Sequence, residues 1–203
     1  MPLDEKVLVI PTERFRSAGY FNGYRRTDSA YRTTILDPVA FQFRPRFQVE
    51  TDPEFKQLIP YIVLKHDNDL FHYQRGSSGT EKRLRALRSI GIGGHISEDD
   101  ARGGEDPYRT GMMRELLEEV EIEADWTETF LGFINDDSIP VGRVHLGVVH
   151  LFELSRPTVR AKEDVLVGAG FAPIAELIPQ ATQFETWSQF VLEEFDRKPE
   201  KAI

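Results

Sequence analysis

Hydrophobic runs of strand length, interleaved with two helical stretches, predict an α/β layered domain. Three observations carry this. Residues 61–64 and 70–73 read as strands around the polar turn His66-Asp67-Asn68-Asp69. Residues 144–154 form a long run in which Val144, Leu146, Val148 and His150 alternate against His145, Gly147, Val149 and Leu151. Both faces are largely apolar, as in a central strand covered on each side. Phe184, Trp187, Val191 and Phe195 recur at helical spacing, which fits a helix lying on the sheet.

In chain order, residues 7–10 read as a short strand. Residues 17–32 are rich in Gly, Tyr and Arg and give no helical period. Strand patterning becomes clear just after Pro60. Residues 89–96 read as a strand running into the glycine turn Gly91-Ile92-Gly93-Gly94-His95-Ile96. A helix follows from about Pro107 or Thr110 to Glu121, with Pro107 suited to its first turn. Residues 129–134 supply another strand, and Asn135-Asp136-Asp137-Ser138 turn the chain into residues 144–154. No repeat or low-complexity linker intervenes. The chain reads as one domain, 1–203, with residues 1–55 an N-terminal extension packed on it.

Composition narrows the function. At 203 residues the chain can bury a full core, and 40% hydrophobic with 29% charged residues is ordinary for a globular protein. With no cysteine there is neither a disulfide framework nor a thiolate zinc site. No stretch approaches the roughly 18 apolar residues of a membrane span, and the N-terminus lacks a secretory apolar core. The expectation is a cytoplasmic protein with no membrane partner. A net charge of -9 argues against binding a nucleic-acid polymer. Basic residues are skewed toward arginine, 18 against 7 lysines, and a guanidinium fork matches phosphate oxygens.

The run Arg114-Glu115-Leu116-Leu117-Glu118-Glu119-Val120-Glu121-Ile122 carries the chemistry. On a helical wheel with Glu115 at zero, Glu118 lies near 300° and Glu119 near 40°, while Met113, Leu116, Leu117 and Val120 fall between about 100° and 200°. Three carboxylates thus share one side and an apolar stripe anchors the other. Arg114 and Glu118 stand at the i,i+4 spacing that lets side chains meet. Crowded carboxylates repel one another unless a cation sits among them, and Mg²⁺ or Mn²⁺ suits oxygen ligands and phosphates alike. The competing reading is a solvated charged face. The glycines upstream favour the metal, because they allow a backbone carbonyl to approach a ligand closely.

These residues resemble the Nudix box, G-x5-E-x7-R-E-U-x-E-E-x-G-U with U aliphatic. Arg114, Glu115, Leu116, Glu118, Glu119 and Ile122 match its second half, and Gly93-Gly94-His95-Ile96 resembles its opening turn. More of the chain, including residues 88–96 and 143–154, is similar to MutT-type phosphoesterases. The resemblance implies a Nudix-like α/β/α sandwich with a mixed β-sheet. It also implies a metal-dependent hydrolase that cleaves a diphosphate linkage in a nucleoside diphosphate derivative or related phosphorylated metabolite. Glu115, Glu118, Glu119 and the Gly94 carbonyl would hold Mg²⁺ or Mn²⁺. Arg114 would orient a neighbouring glutamate, and Glu118 or Glu115, or else Glu163 or Asp164 from a later loop, would serve as general base.

The match has departures. Counting back from Arg114 puts the opening glycine at Asp100 and the first box glutamate at Asp106 or its neighbour Glu105, with six extra residues within 97–104. Glu121 replaces the glycine that follows the helix. A Nudix-like nucleotide-binding or regulatory module without hydrolysis is the alternative. An isopentenyl-diphosphate-type isomerase would require a cysteine that this chain lacks.

Other residues have two readings each. His95 could touch a phosphate or make a local hydrogen bond. His66, His72, His145 and His150 read as core or surface residues. Arg75, Lys82, Arg83, Arg85 and Arg88 could meet an anion or face solvent. Tyr20, Phe21, Tyr24 and Tyr31, among Arg25 and Arg26, could stack on a base or pack on the core. A homodimer is one assembly this reading allows.

Overall fold

A computed structural model describes residues 5–26, 28–75, 87–162 and 166–197. The sheet is mixed, in the order β12 (Leu166–Pro173), β5 (Asp69–Arg75), β4 (Phe55–His66), β10 (His145–Leu154), β9 (Trp126–Asn135), β2 (Gly23–Arg25). Only β4 and β10 run parallel along this path; the other neighbours are antiparallel. β1 (Lys6–Pro11) pairs with the start of β4 and with β3 (Gln42–Pro45). The segment read as an N-terminal extension therefore supplies three strands of the main sheet.

β10 sits at the centre, as its two apolar faces require. Leu146, Val148 and Phe152 enter one core with Met112 and Leu116 of helix α4 (Pro107–Glu119). Val149 and Leu151 enter a second core with Val191 and Leu192 of helix α7 (Thr186–Asp196). Helices thus cover both faces, which is the expected α/β/α sandwich. Helices α1 (Thr12–Gly19) and α2 (Ser29–Ile35) lie on the α4 side, where Phe15, Tyr31 and Ile35 are buried.

β4 starts earlier than its sequence suggests and passes through Pro60. Gln57 N–H donates to Val144 O at 2.8 Å, toward β10. By strand alternation the Pro60 nitrogen turns to the opposite edge. On that edge β1 pairs as far as Gln57, and β7 (Gly91–Ile92) pairs with Val63 and Ile62. Pro60 falls in the interval between them, so its missing N–H costs no ladder bond. The strand read over 89–96 is reduced to β6 (Arg88–Ser89) and β7. The helix read to Glu121 stops at Glu119, because residues Val120–Ile122 form β8 against β11 (Val159–Ala161).

Candidate active site

The glycine turn and the polar face of α4 meet at a groove of about 440 Å³. Gly93, Gly94, His95, Glu115 and Glu119 line it, with Arg46, His145, Glu185 and Trp187 among the residues around them. Gly93 must be glycine, and a side chain at Gly94 would displace Glu115. A Cβ on Gly93 would stand 1.7 Å from Pro60 O, and one on Gly94 would stand 2.2 Å from a Glu115 carboxylate oxygen. The Glu115 carboxylate therefore lies directly against the turn, in space that any side chain at 94 would occupy.

Arg114 organises the acids. It donates to both oxygens of Asp100 (2.8 and 3.0 Å), to Glu115 (2.9 Å), to Glu118 (3.1 Å) and to the His95 carbonyl (3.0 Å). The bidentate pairing with Asp100 is the geometry in which a guanidinium binds a carboxylate best. Asp100 is 6% exposed and also accepts from Ser97 N–H, closing a capping box on the short 3-10 helix Glu98–Ala101. Gly111, inside α4, leaves room for it: a Cβ there would meet Asp100 at 2.6 Å and Ile96 at 2.7 Å. That glycine costs the helix about 1 kcal/mol in propensity, and Asp100 gains its place in return.

This geometry corrects the alignment of the box. Asp106 does not take the place of the first acidic residue; its side chain accepts from Tyr108 N–H and caps α4. Glu105 is exposed. Read forward from Gly94, the glycine-x5-acid spacing lands on Asp100, the residue that holds Arg114. The six extra residues therefore lie between Asp100 and α4.

The three carboxylates do not behave alike. Glu115 and Glu119 line the groove, whereas the Glu118 side chain is 54% exposed and drawn to Arg114. Among the described residues no three acidic or histidine side chains are gathered tightly enough to enclose a cation. Burial pushes the Glu115 carboxyl above its ordinary value, against the pull of Arg114. A buried carboxylate in that state gains from a nearby cation. Two carboxylates beside a glycine turn form a hard-oxygen donor set, which fits Mg²⁺ or Mn²⁺.

Two histidines cross the groove floor. His145 Nδ1 is 2.7 Å from Val141 O, so it carries the proton there, and its Nε2 accepts from His95 Nε2 at 3.2 Å. Burial holds His95 well below the usual imidazole range, with Arg46 and His145 acting in the same direction. His95 thus makes the local hydrogen bond. The other histidines are structural: His66 faces the Leu154 carbonyl, His72 faces Arg88, and His150 is buried between Tyr108 and Glu128.

The N-terminal aromatics pack. Phe21 and Tyr31 join Phe15 and Phe133 edge to face, Arg25 covers the Tyr31 ring at 4.2 Å, and the Tyr24 hydroxyl donates to Leu131 O. Tyr20 is exposed and donates to Asp137. Arg88 lies over Phe184 at 4.4 Å. Lys82, Arg83, Arg85, Glu163 and Asp164 lie outside the described residues. Sequence reasoning missed the far wall, Glu185 and Trp187. Only the helical period at Phe184 and Trp187 marked that segment, and it read as packing.

No family model matches the chain. Protein YmaB of Bacillus subtilis (strain 168) is 32% identical over 200 residues, covering 94% of this chain and 97% of that one. The crystal structure of Tm1382, described as a candidate Nudix hydrolase, superposes with a TM-score of 0.78 at 30% identity. It covers 94% of this chain and 98% of Tm1382. The chain belongs to the Nudix hydrolase family. As a member it is a phosphohydrolase. A more distant Nudix fold is the domain of Shewanella oneidensis NrtR crystallised with ADP ribose, with a TM-score of 0.52 and 16% identity over 70% of this chain and 86% of that one. Among the described residues no helix is long and apolar enough to cross a membrane.

Proposed function

We propose that this Nudix enzyme hydrolyses a diphosphate linkage in a nucleoside diphosphate derivative or related phosphorylated metabolite, using Mg²⁺ or Mn²⁺. The observation that carries the reading is the Glu115 carboxylate lodged against Gly94 in a groove that Glu119 shares. Glu115, Glu119 and the Gly94 carbonyl would hold the cation. When bound, the cation neutralises charge on the phosphate oxygens and lowers the cost of the leaving phosphate.

The chain's own residues do the rest. Glu118 takes the proton of the attacking water, since its half-exposed carboxylate, one residue from Glu119, can meet solvent. The water oxygen bonds to one phosphorus, the bridging P–O bond breaks, and two phosphate-bearing products leave. Arg114 touches no substrate. Its donors already engage Asp100, Glu115, Glu118 and the His95 carbonyl, so it fixes the turn and helix relative to each other. The shared fold of the NrtR domain, which binds ADP ribose, supports a substrate of this class.

The test is incubation with Mg²⁺ or Mn²⁺ and a panel of dinucleotides, nucleotide sugars and nucleoside triphosphates. Metal-dependent release of phosphate-bearing products is expected, with Glu118→Gln losing most turnover while its circular dichroism matches the parent protein. Near-normal turnover in that variant would refute the role given to Glu118.

A further inference from the structure

The far wall of the groove is aromatic. Trp187, in the first turn of α7, and Tyr61, on β4, stand edge to face with centroids 5.7 Å apart and planes at 73°. Both line the same groove as Glu115 and Glu119. Each ring rests on a glycine. A Cβ at Gly147 would meet the Trp187 ring at 2.9 Å, and a Cβ at Gly91 would meet the Tyr61 ring at 2.1 Å. Gly147 interrupts β10, where the neighbouring residues Leu146, Val148 and Val149 are all fully buried.

Tyr61 is further pinned by its hydroxyl, 2.7 Å from Ser188 Oγ and 3.3 Å from Glu185, which in turn accepts from Ser89 Oγ at 2.6 Å. Tyr61 is buried, but Trp187 keeps part of its surface open. A ring held this firmly yet left partly uncovered has lost its freedom before any ligand arrives. Stacking on it then costs little ordering. Trp126, the other tryptophan of the chain and likewise half-buried, has its ring face on Phe152, with 14° between planes, and it does not line the groove.

We propose that Trp187, braced by Tyr61, stacks on the planar base of the substrate and so selects base-bearing diphosphates. This inference rests on the hydrolase reading above for the position of the phosphates. Every base has a π-face, so the seat recognises the class without choosing one base.

The two tryptophans make a direct test possible. In a Trp126→Phe protein, all indole emission comes from Trp187. Titration with AMP should quench it saturably, and ribose 5-phosphate should leave it unchanged. In turnover assays, Trp187→Ala should raise KM for base-bearing diphosphates about tenfold or more, with kcat little changed and no shift for a diphosphate without a base. Gly147→Ala, which pushes the indole out of its seat, should reproduce the KM effect, and Trp187→Phe should restore part of it.

Absence of AMP quenching, or equal KM changes for substrates with and without a base, would overturn the proposal and leave the hydrolase reading standing. Saturable quenching in a protein that turns over no diphosphate would keep the base seat and overturn the hydrolase reading.

Discussion

The two ends of helix α4 handle charge in opposite ways. Near its N-terminus, Tyr108 and His150 are buried. Burial holds the imidazole below its usual range, so it is neutral: Nδ1–H donates to Glu128 at 2.8 Å, and Nε2 accepts from the Tyr108 hydroxyl at 2.9 Å. Glu128 is also paired with Arg109. One carboxylate there has both an imidazole and a guanidinium. Two turns on, Asp100, Glu115 and Glu118 all share Arg114, and Glu119 lines the groove beside them. Both regions border cavities of similar size, about 440 and 470 Å³. Size does not separate them. The difference is that three carboxylates share one guanidinium at one end, while one carboxylate has two partners at the other. The proposed cation site rests on the first arrangement, and the second is a structural network.

Substitutions at the two ends sharpen this contrast. The largest effect is expected for Glu115→Gln. Turnover should fall by more than the roughly 10- to 100-fold that loss of a supporting partner costs a metal site. The melting temperature should hold, because a neutral amide still accepts from Arg114 and removes a carboxylate that burial disfavours. Asp100→Ala comes next. It should lower turnover about 10- to 100-fold by freeing Arg114. It should also cost about 3 kcal/mol in a urea unfolding curve, since it strands a guanidinium that had a buried partner.

At the other end of α4 the effects should fall on stability alone. Glu128→Gln is expected to cost about 1–3 kcal/mol while turnover stays within about twofold. The pH dependence has a definite sign. The hydrogen bond from His150, reinforced by Arg109, holds the Glu128 carboxyl down at about 2, against 4.5 for the free side chain. The folded state therefore gains from ionised Glu128 fully above about pH 4.5, and that gain disappears as pH falls toward about 2. Unfolding curves of the parent protein and the variant should converge across that interval. Arg109→Ala should have the smallest effect, at most about 1 kcal/mol, since its side chain is 47% exposed. Turnover loss in Glu128→Gln comparable to that in Glu115→Gln would break the comparison.

Much of this was readable from local pattern. The two-faced apolar run of β10 gave its central place, and the helical wheel put Glu115, Glu118 and Glu119 on one side of α4. The wheel could not say that Arg114 would draw Glu118 outward, because the two glutamates flank Glu115 similarly by angle. Asp100 was misread because its partner lies fourteen residues away across a lengthened loop, and spacing counted from one end assigns the wrong acid. Pro60 hid the first half of β4, since the gap that tolerates it exists only after β1 and β7 have paired. Residues 17–32 gave no helical period, yet they contain the end of α1, β2 and the start of α2, short elements held mainly by packing of Phe15, Tyr31 and Ile35. The far wall, with Trp187 and Glu185, meets the carboxylates only through tertiary folding.

The most direct test measures Mn²⁺ binding by isothermal titration, without substrate, in the parent protein, in Glu115→Gln and in Gly94→Ala, whose added methyl would occupy the space of the Glu115 carboxylate. Saturable binding to the parent protein, weakened at least tenfold in both variants and unchanged in Glu128→Gln, is the predicted result. Equal affinity in all four proteins would contradict the assignment of the ion to the glycine turn and α4.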